Sequence, residues 1–303
     1  MLSTRRHVGY KPLGSGDTSA VELVLVGSRP LSEAAVLSGE GPDTLVIDAT
    51  KLTFACPLDL TGIVATAYGA ASCSVRVVLR LPRDPDVASY LQRMDVLRHM
   101  PSRTQILGRV PPDARTDHRR SLMEVTALNE GNVNDLSERL GPLVTSFYED
   151  HSAGAAVFRA CSELMSNATE HGTSEHGAFI AAQLYTGSTT EGARLEFAVC
   201  DTGVGVMAHL RRNPEHDYLT RDEVAIAKAM KAGVSGVAED LRGNGLRDVI
   251  EDTRHYGRLA FQIRSGKGEV RVTGTLSSRR TQKGRRQDET SGTWAWLTHR
   301  LTT

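Results

Sequence analysis

Short apolar runs alternate with helix-periodic stretches along this chain, and that alternation narrows the fold to the α/β class before any motif is considered. Val21 to Val26 and Thr44-Leu45-Val46-Ile47-Asp48 read as strands, and Leu58 to Ala71 has the spacing of a helix. Val75 to Leu79 is a third strand, stopped by Pro82, and Val87 to Met100 fits an amphipathic helix. The second half opens with a strand, Leu122 to Leu128, followed by helices over Val133 to Glu149 and Gly154 to His171. Strands Ala178 to Tyr185 and Leu195 to Cys200 come next, then helical pieces at Asp222 to Ala232 and Gly245 to His255. Three strands close the chain: Arg258 to Arg264, Glu269 to Leu276 and Thr293 to Leu297.

A chain of 303 residues accommodates two domains of ordinary size. Residues 1–19 are polar and Gly/Ser-rich, a flexible leader, and 20–108 form a first α/β domain. Residues 109–121 carry Val110-Pro111-Pro112-Asp113 and read as a linker, leaving 122–303 as the second domain. Thirty-six Lys and Arg balance thirty-six Asp and Glu, which argues against a nucleic-acid or membrane partner. The basic run Arg279-Arg280-Thr281-Gln282-Lys283-Gly284-Arg285-Arg286 is read as a solvated hairpin loop, with nucleic-acid contact as the competing reading. No apolar run approaches the ~18–20 residues of a membrane span, and no signal peptide is read at the N-terminus. Cys56, Cys73, Cys161 and Cys200 are scattered without zinc spacing, as expected of reduced thiols in a cytoplasmic protein.

Three clusters bear chemistry. In Ser162-Glu163-Leu164-Met165-Ser166-Asn167-Ala168-Thr169-Glu170-His171-Gly172, a helix puts Glu163 and Asn167 one turn apart on one face, with His171 leaning the same way. An amide oxygen at Asn167 suits Mg²⁺, and Glu163 could deprotonate a water or hydroxyl aimed at a phosphate; two surface residues of an amphipathic helix are the plainer alternative. In Phe197-Ala198-Val199-Cys200-Asp201-Thr202-Gly203-Val204-Gly205, a buried-type strand runs into a carboxylate and two glycines. A carboxylate there can accept a hydrogen bond from an exocyclic amine such as that of adenine; the alternative is an ordinary Asp-Gly turn. In Leu241-Arg242-Gly243-Asn244-Gly245-Leu246, unobstructed N–H groups at a helix start would cradle phosphate, with charge from Arg242; a capped flexible loop competes.

Taken in order, ExxxN on a helix, DxGxG after a strand, GxG before a helix and a final Gly292-Thr293 resemble the GHKL ATPases, the gyrase, chaperone, histidine kinase and MutL group, over about residues 122–301. The resemblance implies a Bergerat-type α/β sandwich, one mixed sheet with helices on one face, binding ATP and Mg²⁺. It makes Asn167 the Mg²⁺ ligand, Glu163 the catalytic carboxylate and Asp201 the reader of the adenine amino group. Gly203, Gly205, Gly243 and Gly245 would shape the pocket together with His171, Arg242, Asn244, Leu246 and Thr293, under a lid of residues 206–242. Arg247 stands where many members carry a small residue, and no lysine of the topoisomerase type follows the glycine box. The ending Asn167-Ala168-Thr169-Glu170-His171-Gly172 looks most like the anti-sigma factor serine kinases. Sensor histidine kinases need a helical hairpin with a phosphoacceptor, for which His118 is the nearest candidate.

Leu45 to Met100 resembles a STAS domain, the fold of anti-sigma factor antagonists, on its strand, Asp48, Leu52-Thr53-Phe54, helix, strand and final helix with Tyr90-Leu91. That family carries a phosphorylatable Ser or Thr at the helix start, where this chain has Cys56-Pro57-Leu58. Thr61 lies inside the helix, so the domain is expected to be degenerate as a substrate. The expectation is an ATP-binding regulatory protein: a serine/threonine kinase, a slow ATPase or a binding switch. Its partner would be a sigma factor, an antagonist or another regulator. A homodimer is left open, and a GHKL ATPase acting with nucleic acid or in a larger assembly is the alternative.

Overall fold

The computed structural model describes residues 20–32, 42–113, 120–172, 177–187, 192–231, 234 and 245–301, with the backbone alone for His171 and Gly172. The N-terminal part is built on a sheet of β1 (Ala20–Ser28), β2 (Thr44–Phe54), β3 (Arg76–Arg80) and β4 (Gln105–Leu107), in that order and parallel throughout. Parallel neighbours need crossovers. The β2–β3 crossover contains α1 (Pro57–Ser72), and the β3–β4 crossover contains α2 (Pro85–Arg93). The helix read over Val87 to Met100 is therefore shorter than expected. It stops at Arg93, and Asp95 takes a φ of 60°, which ends the helical path although Met94 stays buried. The three-residue β4 has no counterpart in the sequence reading.

Helix α1 starts at Pro57 because proline needs no N–H partner in a first turn. The Asp59 carboxylate secures that turn, accepting the Cys56 N–H at 2.9 Å and the Leu31 N–H at 2.8 Å. Every residue from Pro57 to Ala67 is buried. A helix buried all round is covered on more than one side, and here the second cover is the other sheet.

That sheet consists of β5 (Leu122–Leu128), β6 (Ala178–Thr186), β7 (Ala193–Asp201), β8 (Gly257–Thr275) and β9 (Ser278–Leu301), in the order β5-β6-β7-β9-β8. Every pairing in it is antiparallel, which corrects the mixed sheet expected from the resemblance. The β6–β7 and β8–β9 links are hairpins, and β9 returns antiparallel beside β7. One face carries α3 (Val133–Phe147), α4 (His151–Gly172) and α7 (Gly245–His255), packed on Ile180, Ala182, Phe197, Val199, Ala295 and Leu297. The other face presents Phe179, Ala181, Ala198, Cys200 and Trp294 to the core around α1, so helices cover both faces. A Cβ added at Gly62 would lie 2.9 Å from the Trp294 ring, so glycine sets how closely α1 approaches. Polar ties cross the same boundary. Arg29 bonds Glu196 at 2.6 Å, Arg264 donates to the Leu31 carbonyl at 2.5 Å, and Tyr90 donates to Gln183.

The strands read at 258–264 and 269–276 form one strand, β8, bent by a bulge between Ser265 and Gly268. The basic run 279–286 is strand and not loop, because β9 begins at Ser278, immediately after the reversal. Val270 and Val272, fully buried, alternate with exposed positions and hold this ribbon against the body. Within the stretch expected as a lid, the described residues 206–231 carry α5 (Gly205–Leu210), a 3₁₀ turn at Pro214–His216 and α6 (Asp222–Ala229). Leu210, Leu219 and Ala225 give it a small apolar core. Among the described residues, no helix is long and apolar enough to cross a membrane.

Candidate functional site

A cavity of about 260 Å³ opens between the sheet face that carries α3, α4 and α7, helices α4 and α5, and the start of α7. Its apolar lining includes Val199, Ile263 and Ala295 from the sheet, with Leu164 and Leu246 from α4 and α7. Its polar lining comprises Glu163, Ser166, Asn167, Glu170, Asp201, His209 and Thr293.

The first polar group is Asp201, at the end of β7 and 4% exposed. Its Oδ1 accepts the Gly203 N–H at 2.8 Å and the Thr293 N–H at 3.1 Å. Among the described residues its Oδ2 makes no hydrogen bond, and the side chain lines the cavity. Burial pushes its pKa up to about 7, against the opposing pull of the Gly203 and Thr293 amides. A carboxylate held by one oxygen and open at the other is placed to accept a donor from a ligand.

Two glycines make that arrangement sterically possible. Gly292 has φ +72°, and a Cβ there would sit 2.3 Å from the Asp201 carbonyl oxygen and 2.5 Å from Oδ1. Gly205 has φ +79°, and a Cβ there would meet Ser265 Oγ at 2.6 Å. Ser265 ties these elements together, accepting the Val206 N–H at 2.9 Å and donating to the Gly292 carbonyl at 2.8 Å. Sequence reasoning missed Ser265, since a serine in a strand beside a Gly-Lys-Gly bulge carries no motif. It also missed the lining residues His209 and Leu210, because α5 was taken as lid.

The second polar group is on α4. Asn167 Nδ2 donates to Glu163 Oε1 at 3.1 Å, which fixes the amide so that Oδ1 is the oxygen left over. Among the described residues that Oδ1 has no hydrogen-bond partner. Glu163 lies against the first residue of α7, and a Cβ at Gly245 would fall 1.7 Å from Glu163 Oε1. A carboxylate beside a helix N-terminus is favourably placed. Among the described residues, no group of three or more His, Cys, Asp or Glu is positioned to hold a metal alone. A single amide oxygen fits Mg²⁺ only where ligand phosphates complete the shell.

Of the residues expected in a site, the cavity brings together Glu163, Asn167, Asp201, Gly205, Gly245, Leu246 and Thr293. Gly203 is adjacent and contributes its N–H to Asp201. His171 lies in the last turn of α4, its side chain outside the description. Arg242, Gly243 and Asn244, as well as His118, lie outside the described residues. No protein-family model matches the chain, and a search of the curated proteins returned no match.

Proposed function

We propose that this cavity binds ATP with Mg²⁺, and that the chain is a cytoplasmic regulatory protein of the GHKL class, nearest to the anti-sigma factor serine kinases. The observation that carries the reading is the Asp201 carboxylate: one oxygen locked by two backbone amides, the other without a hydrogen bond among the described residues, at a cavity that also offers the apolar surface of Val199, Ile263 and Ala295. That is an acceptor suited to the exocyclic amine of adenine, with apolar surface for the ring. The antiparallel sheet departs from the mixed sheet of that class, so the reading rests on the cavity and not on the topology.

In this reading Asp201 selects the base and Asn167 offers its free amide oxygen to the metal. Glu163, held by Asn167 and facing the α7 start, takes the proton of the incoming hydroxyl or water. Bound Mg²⁺ would neutralise phosphate charge. The N-terminal part serves as a docking or sensing module toward a regulator such as a sigma factor or its antagonist. Calorimetric titration with ATP and GTP, each with Mg²⁺, tests the base assignment. Adenine presents a donor where guanine presents a carbonyl, so ATP should bind more tightly, and equal affinities would remove Asp201 from base recognition. Incubation with labelled ATP and cell extract separates a kinase, which labels a partner, from a switch, which labels none.

A further inference from the structure

We propose that the chain carries a second ligand site, for a small phosphorylated anion, on the face of the antiparallel sheet opposite the Asp201 cavity. A cleft of about 370 Å³ there is lined by Arg29, Arg258, Arg271, Arg300, Thr273 and Thr298, along with Leu259 and Ala260, and no carboxylate among the described residues lines it. The register explains the convergence. Arg258 is paired with Arg300 and Ala260 with Thr298, so these four positions share one face. Their neighbours Leu259, Leu297 and His299 are buried on the other face. The bulge at Ser265–Gly268 bends β8, and the ribbon beyond it buries Val270 and Val272 while Arg271 and Thr273 alternate to the cleft side. Arg280 is paired with Thr273 and lies on that same side of the ribbon.

The arginines of this sheet edge divide into answered and unanswered ones. Arg264, Arg286, Arg254 and Arg279 all have carboxylates, namely Glu269, Asp288 and Glu251. Arg258, Arg271 and Arg280 make no ion pair or hydrogen bond among the described residues. Arg29 is paired with Glu196, but the same Glu196 oxygen also accepts Arg194 at 2.6 Å, so two guanidiniums share one carboxylate. Like charges gathered in a concave site repel, and a multivalent anion relieves them. Guanidinium forks match phosphate oxygens in pairs, and the two threonine hydroxyls can donate beside them. A compact ligand fits better than a polymer, because the cleft holds about 370 Å³ and the whole chain is neutral.

Titration of inorganic pyrophosphate into the full chain, at fixed ionic strength, tests the site. Arg258 and Arg271 are exposed, so R258Q/R271Q should fold normally. Binding should weaken by roughly ten-fold or more in R258Q/R271Q, because two bidentate partners are lost. It should be unchanged in the charge-matched control R98Q/R103Q, whose arginines are also exposed. No binding by the wild type, or equal weakening in both variants, would overturn the proposal and leave the arginines as guards of an edge strand. Tighter, Arg258-dependent binding of a single-stranded oligonucleotide than of pyrophosphate would overturn it in favour of a nucleic-acid surface.

Discussion

Asp201 Oδ1 accepts the backbone N–H of Thr293 at 3.1 Å, joining the end of β7 to a strand 92 residues further along the chain. The contact depends on Gly292, whose φ of +72° a side chain rarely adopts and whose added Cβ would strike Asp201 itself. Gly292→Ala is therefore expected to destabilise the fold by ~1–3 kcal/mol through backbone strain, and to weaken ligand binding in the cavity with it. Urea unfolding reads the first effect, and an unchanged midpoint would show that the strand end tolerates the methyl group.

Glu163 and Asn167 share a cavity wall but have different expected roles. Glu163→Gln keeps an oxygen for the Asn167 amide and should leave nucleotide affinity nearly intact, while phosphoryl transfer falls by ~10²–10⁴-fold. Asn167→Ala should instead remove the Mg²⁺-dependent part of the affinity. Single-turnover assays beside binding isotherms separate the two. A wild-type chain that transfers phosphate neither to water nor to any partner would leave Glu163 with no chemistry to lose.

Burial of Asp201 raises its pKa from 3.8 to about 7, so the free protein binds a proton there more tightly than the unfolded chain does. Its contribution to stability accordingly declines as pH rises from about 4 toward 7. A ligand amine prefers the ionised form, so nucleotide affinity should move the other way. Binding should be about ten-fold weaker one pH unit below the pKa and level off above it. Isotherms between pH 6 and pH 8 measure this, with Asp201→Asn as the variant whose residual affinity should not follow that curve. A flat wild-type profile would mean that the carboxylate is not the acceptor.

The apolar period made most of the framework readable: β1, β2, α1, β3 and β5 through β7 fall where the sequence places them. Local pattern could not show that Trp294 and Gly62 would touch, because burial of α1 on two sides is a long-range outcome. Nor could it fix strand direction, and the antiparallel return of β9 beside β7 is set by tertiary pairing. Glu163, Asn167 and Asp201 were singled out by their spacing, and the fold gathers all three around one cavity. Ser265 was not, since its role exists only once Val206 and Gly292 are brought to it. Residues 279–286 were misread as loop because their charges hid the alternation that Val270 and Val272 impose from the facing strand.

The α1 start bears on whether the chain phosphorylates itself. Pro57 has no hydroxyl, and Thr61 is fully buried, donating to the Pro57 carbonyl at 2.9 Å with Cys200 Sγ 3.2 Å away. Incubation with ATP and Mg²⁺ followed by intact-mass measurement should find no phosphate between residues 50 and 65. A stoichiometric adduct there would restore an internal relay and end the docking-module reading.

The proposed recognition of adenine by Asp201, in the cavity beside α4, is open to measurement. Calorimetric titration of ATP with Mg²⁺ into the wild type and Asp201→Asn tests it most directly. The asparagine can turn an NH₂ donor toward the ligand amine or toward the Gly203 and Thr293 amides, leaving a buried mismatch of ~1–3 kcal/mol, or about five- to 150-fold in affinity. The expected result is measurable binding by the wild type and a loss of that size in a variant that still folds. Equal affinities, or no binding by the wild type, would contradict it.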